Sequence, residues 1–101
     1  YAALAQTTTD LIILSSNSYV DSINHLNVVG EVQNNSPSAL DYVQVTGTFY
    51  DSMGKVVGTD YTFTSPSSIN AGAKAPFHLI LSEASIPIRQ ISNYSLQASH
   101  S

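Results

Sequence analysis

Along most of this chain apolar and polar residues alternate with a period of two, the spacing of a strand with one buried face. In "HLNVVGEVQNN", Leu26, Val28, Gly30 and Val32 share one face, while His25, Asn27, Glu31 and Gln33 fall on the other. In "DYVQVTGTFYD", Val43, Val45, Gly47 and Phe49 alternate with Tyr42, Gln44, Thr46, Thr48 and Tyr50. The "NNSPSAL" segment between them is rich in turn formers, and "DSMGK" afterwards is a tight turn in which Gly54 can take a positive φ. "VVGTDYTFTS" returns as a further strand, and Pro66 and Gly72 punctuate the loop that follows. In "PFHLILS", Phe77, Leu79 and Leu81 point one way.

Residues 82–87 read as a connection or a single helical turn. "RQISNYSLQAS" then closes the chain, with Ile91 out of phase with Tyr94, Leu96 and Ala98, which predicts an irregularity near Ser92 or Asn93. Leu11 to Ser15 adds a strand at the start. About seven short strands at regular spacing, with no helical periodicity, predict an all-β fold, an immunoglobulin-like sandwich over residues 11–101 preceded by an N-terminal extension over residues 1–10. Gly30 and Gly47 lie mid-strand, where glycine costs stability unless a bulge or a large neighbour needs the space.

Composition narrows the function. The chain has 101 residues, enough for one domain, and three Lys+Arg against seven Asp+Glu give a net charge of −4. Nucleic-acid phosphates and anionic lipid surfaces are therefore poor partners. Charged residues are 10 % of the chain, where about 25 % is usual, and sixteen Ser with eight Thr cover the surface instead. Such a surface suits an extracellular protein. Cysteine is absent, which excludes a disulfide framework, a thiolate nucleophile and a thiolate-bound metal. The longest apolar run, Leu11 to Leu14, falls far short of the roughly 20 residues a membrane span needs. The small residues at the start of the chain fit removal of a signal peptide, so the expected location is the cell surface.

The residues offer little for catalysis. His25, His78 and His100 stand in three separate segments without metal-ligand spacing, and the first two lie on polar faces, where solvent exposure is expected. Ser52 to Lys55 matches the Ser-x-x-Lys spacing of serine acyl enzymes, but that chemistry needs a helical turn to bring Lys over Ser, and here the motif lies in a glycine-containing hairpin. Asp51 ends a strand where its carboxylate can accept bonds from amides beyond it, and no second carboxylate stands at a useful spacing. The reading is of a protein that is not an enzyme and uses no cofactor or metal.

"VVGEVQNNSPSALDYVQVTGTFYDSMGKVVGT" followed by "SINAGAKAPFHLIL" resembles an FxLYD-type domain. The matching positions are Val28, Gly30, Val32 and Asn34, then Phe49, Tyr50, Asp51 and Gly54, then Ala71, Gly72, Pro76 and Phe77. The resemblance covers residues 26 to 81 and implies an immunoglobulin-like sandwich of prokaryotic surface and secreted proteins, without catalytic residues. One departure stands out: the leading Phe of the family pattern falls at Gly47, so the core there must be filled differently.

Two Asn-x-Ser sequons occur, Asn34-Asn35-Ser36 and Asn93-Tyr94-Ser95, and each marks an acceptor for an N-linked glycan on a secreted chain. The extension itself is uncharged over Tyr1 to Thr9 and lacks Pro and Gly. Tyr1, Ala3 and Ala5 lie on one side of an extended segment, with Ala2, Leu4 and Gln6 on the other, and Thr7, Thr8 and Thr9 are β-branched. Such a segment can fold back along its own sheet, or pair along a sheet edge of a neighbouring copy. A head-to-tail contact of the second kind, if it does not close, makes a filament. The overall pattern resembles archaeal surface threads, whose immunoglobulin-like subunits insert an N-terminal strand into the next subunit; a type IV pilin is excluded by the missing apolar N-terminal helix. The expected partner is therefore another copy of the chain. The other expectation is a monomeric binding or accessory module of a surface protein, with Tyr42 and Tyr50 on its ligand face.

Overall fold

The computed structural model describes the backbone of residues 4–6 and, with side chains, residues 10–81 and 87–101. Seven strands form: β1 (Leu4–Gln6), β2 (Leu11–Val20), β3 (Leu26–Asn34), β4 (Gln44–Tyr50), β5 (Val56–Phe63), β6 (Lys74–Leu81) and β7 (Asn93–Ser99), with a short 3-10 turn at Ile88–Gln90. They make two sheets, one ordered β1-β7-β4-β5 and the other β2-β3-β6. The fold is an all-β, immunoglobulin-like sandwich. All neighbours pair antiparallel except β1, which runs parallel to β7.

The alternation seen in the sequence sets the core. Val28 and Val32 of β3, Val45 and Phe49 of β4, Phe77, Leu79 and Leu81 of β6, and Leu96 of β7 are all buried between the sheets. Phe49 is fully buried and its ring lies 6.0 Å from that of Tyr94. The two strand glycines serve this packing. A Cβ on Gly30 would lie 2.1 Å from the Ser15 carbonyl oxygen and 2.7 Å from the Phe77 ring. That carbonyl belongs to a bulge, where the β2–β3 register shifts between Ile13 and Ser15. At Gly47 the Phe49 ring and a Leu79 methyl occupy the space, 3.0 Å from where a Cβ would stand. Phe49 and Leu79 thus supply the bulk that the missing aromatic would have provided.

Several expectations change. The first sandwich strand continues to Val20, five residues beyond Ser15, because its second half carries Ser15, Ser16 and Asn17 with both faces exposed and so shows no alternation. The irregularity near Ser92 is not a bulge. Tyr50 to Gln44 pair with Asn93 to Ser99 without a register shift, and Ile91 is out of phase because it ends the 3-10 turn ahead of the strand. Tyr42 is not a strand position; its φ is +52° and it precedes β4 in the left-handed region. The connection expected over residues 82–87 falls largely outside the described residues, as do Tyr1 to Ala3 and Thr7 to Thr9 of the proposed inter-subunit strand.

Candidate functional site

The β hairpins meet their turns through one recurring device. Asp51 Oδ1 accepts the backbone N–H groups of Met53 and Lys55, both at 2.9 Å, and Gly54 takes φ +82°. Asp21 does the same between β2 and β3. Its Oδ1 accepts the N–H groups of Ile23 at 3.0 Å and His25 at 2.9 Å, with Asn24 at φ +60°. "DSINH" and "DSMGK" are therefore the same turn, with Asn standing in for Gly. Asp21 also accepts from Asn27 Nδ2 at 3.0 Å, and the His25 N–H bond, followed by that from Asn27, holds its carboxyl below the ordinary range. Asn27 Oδ1 in turn accepts from His78 Nε2 at 2.7 Å. His25 is half-buried at this turn rather than free on a polar face, while His78 is exposed.

Ser52 and Lys55 sit in the β4–β5 turn, and among the described residues no group of three or more metal-capable side chains converges. His100 Nε2 lies 4.0 Å from Asp10 Oδ2 where β2 and β7 approach each other.

The sheet edges are more informative, because an unpaired strand edge is a template for another strand. On β5 the Tyr61 N–H is taken by the Asp60 carboxylate at 2.8 Å, and on β2 the Ser18 N–H is taken by the Asn17 side chain at 2.9 Å. On β6, Pro76 has no N–H to offer and its carbonyl accepts from Ser65 N–H at 3.0 Å. Three edges are blunted by their own side chains or loops. The remaining side differs: β7 is covered by backbone, because β1 lies beside it as the outermost strand. Leu4, Ala5 and Gln6 pair with Ser95, Leu96 and Gln97, so the β1 register spans three of the seven β7 residues.

Cavities lie against β7 and its neighbours toward either end of the strand. One of about 270 Å³ lies against Leu11, Ala98 and His100. Another of about 140 Å³ lies between Val20, Ile88, Ile91 and Tyr94 and adjoins a larger one of about 340 Å³ beside Arg89. Along this flank Ser16 and Val20 of β2 face the gap and stay exposed, with Ser16 Oγ 3.4 Å from the Tyr94 hydroxyl. Burial raises the Tyr94 pKa above its ordinary value.

Tyr50 and the two sequons take different places. Tyr50 is half-buried, its hydroxyl bonded to Ser95 Oγ at 3.2 Å, an ordinary cross-strand contact. Asn34 is fully buried, while Asn93 is exposed at the head of β7.

No family model and no curated protein sequence matches the chain. Solved structures do. A DUF1425 family member from Shewanella sp. pv-4 superposes with a TM-score of 0.60 at 13 % identity, covering 92 % of this chain and 80 % of that one. The structure of Campylobacter jejuni cj0090 gives a TM-score of 0.55 at 15 % identity, covering 98 % and 97 %. These likenesses establish the shared β-sandwich fold. Among the described residues no helix is long and apolar enough to cross a membrane.

Proposed function

We propose that this chain is an extracellular structural subunit that assembles head to tail into a surface filament, its N-terminal strand inserting along β7 of the next copy. The observation that carries this reading is the contrast between strands: β2, β5 and β6 are blunted at their outer edges, whereas β7 receives a short parallel strand, with cavities against β7 and its neighbours toward either end. In an immunoglobulin sandwich the strands of one sheet run C, F, G, with G following F in the chain. Here β4 and β7 correspond to C and F, and the place beside F is held by β1, from the opposite end of the sequence.

A strand joined to the sandwich in sequence through residues 7–9 can make the same backbone bonds whether it enters its own sheet or that of a neighbour. The choice then depends on the effective concentration set by the tether against the concentration of other subunits. Exchange in one direction is heterologous and propagates. The low charge and the sequence pattern, read above as resembling FxLYD-type domains and archaeal surface threads, fit the same surface role, with copies of the chain as partners and no catalytic function.

Negative-stain electron microscopy of the intact protein beside a form lacking residues 1–9 tests the proposal. Fibres that require the tail are expected; fibres that assemble equally without it contradict the insertion. The monomeric surface module is the second reading, favoured by the pairing of β1 with β7 within one chain. Dispersed particles from both forms would select it.

A further inference from the structure

We infer that Asn93 is an N-glycan site whose sugar rests against Tyr50, and that Asn34, the other sequon, is a structural brace that a folded chain cannot carry modified. The two asparagines share a motif and differ in every physical respect. Asn34 has no exposed surface. Its Nδ2 donates to the carbonyls of Ser38 and Ile69, both at 2.8 Å, and its Oδ1 accepts from Ser36 N–H at 2.9 Å and Ser36 Oγ at 2.7 Å. Both amide hydrogens are engaged, and the sequon hydroxyl is bound to the acceptor side chain itself. A sugar on Nδ2 would remove one of those donors and place a bulky polar group where the β3 end packs against the Ile69 loop.

Asn93 is exposed and opens β7 opposite Tyr50 of β4. It lies on the outer face of its sheet with Tyr50, Ser95, Thr48, Gln97 and Tyr61, and no charged residue occupies an outward position of β4, β5 or β7. The outer face of the other sheet, by contrast, holds Glu31 and Lys74. This uncharged face mixes hydroxyls and amides with apolar groups, Val56 opposite Tyr50 and Phe63 farther along β5, and suits a neutral sugar, whose ring hydrogens pack on apolar and aromatic surface while its hydroxyls bond beside it. The bond from Tyr50 to Ser95 fixes that ring in place.

The donor is a lipid-diphosphate-linked oligosaccharide. An N–C bond forms between Asn93 Nδ2 and the anomeric carbon, Nδ2 gives up one proton, and the lipid diphosphate leaves with the electrons of the broken C–O bond. In the finished sheet the Asn93–Ser95 sequon is fixed in the β4–β7 pairing and Asn34 is buried, so transfer occurs on the unfolded chain; folding then tolerates modification at Asn93 and excludes molecules modified at Asn34. The inference is independent of filament assembly and shares with it only the export of the chain.

The test is secretion of the full chain from a eukaryotic host that transfers glycans to Asn-x-Ser, followed by peptide-resolved mass spectrometry of the fraction that melts cooperatively. Sugar at Asn93 and bare Asn34 are expected, with Asn93→Gln secreted folded and unmodified. A folded fraction with bare Asn93, or one with sugar on Asn34, would overturn the assignment. The glycosylated chain should melt above Asn93→Gln, and the difference should disappear in a Tyr50→Leu background; an equal difference in both backgrounds would overturn the role given to Tyr50.

Discussion

Replacing Gly30 by alanine tests the packing of the β2 bulge against β3. The added methyl would sit 2.1 Å from the Ser15 carbonyl oxygen, more than 1 Å inside ordinary contact, and 2.7 Å from two Phe77 ring carbons. The ring could rotate away, but the carbonyl is backbone and moves only if the bulge rebuilds. Overpacking of this kind costs about 1–3 kcal/mol, and backbone displacement puts it at the upper end. Alanine recovers about 0.5–1 kcal/mol through the lower entropy of its unfolded chain, leaving a net loss of roughly 2 kcal/mol. At about 4–8 °C per kcal/mol for a domain near this size, Tm should fall by about 8–16 °C. Gly47→Ala is the internal control. Its methyl meets only the ends of the Phe49 and Leu79 side chains at 3.0 Å, so a shift of a few tenths of an ångström suffices, and the net change should stay within about 1 kcal/mol. Thermal melts of the two variants followed by circular dichroism decide the matter. Equal melting temperatures, or a greater loss at Gly47, would refute the assignment of the bulge carbonyl as the obstacle.

Other consequences can be measured on the same protein. Asn34→Asp places a carboxylate oxygen against the Ser38 and Ile69 carbonyls in a buried site, and urea denaturation should show a loss of about 3 kcal/mol or more. Asp21 has a lowered pKa, so the stability it provides is present above its unfolded value and is lost as pH falls through the folded value; Asp21→Asn should flatten the acid limb of a Tm-versus-pH curve. Tyr94 has a raised pKa, so its contribution holds below the unfolded value and is lost as pH rises from there through the folded value. Tyr94→Phe should remove that part of the alkaline decline.

Much of the sandwich was legible in the sequence wherever one face of a strand is buried. Leu26, Val28 and Val32, or Phe77, Leu79 and Leu81, state their own register because every second residue enters the core. Beyond Ser15 β2 lost this signal, since Ser16 faces a gap rather than packed side chains and so need not be apolar. The β2–β3 turn carried a usable signal in "DSINH", legible only beside "DSMGK", with Asn24 adopting the positive φ that glycine usually marks. Asn34 looked like a surface sequon because its motif says nothing of depth; it lies at the inward end of the Leu26, Val28, Val32 alternation, and that phase was the clue. That the extension can fold back along its own sheet was legible, but its partner β7 was not, because a short uncharged strand carries no label for its partner.

Whether that strand stays in its own subunit or enters the next is the central question, and cysteine substitution answers it in a chain that has no cysteine. Gln6 and Gln97 are register partners in the β1–β7 pair, within the separation a disulfide can bridge. Two single variants, Gln6→Cys and Gln97→Cys, are mixed under assembly conditions, oxidised and run on a non-reducing gel beside each variant alone. Strand insertion between subunits predicts a mixed disulfide dimer in far greater yield than either variant gives by itself. No mixed dimer, together with efficient closure of an intrachain bridge in the Gln6→Cys/Gln97→Cys double variant, would show that the strand serves its own sheet and contradict the filament.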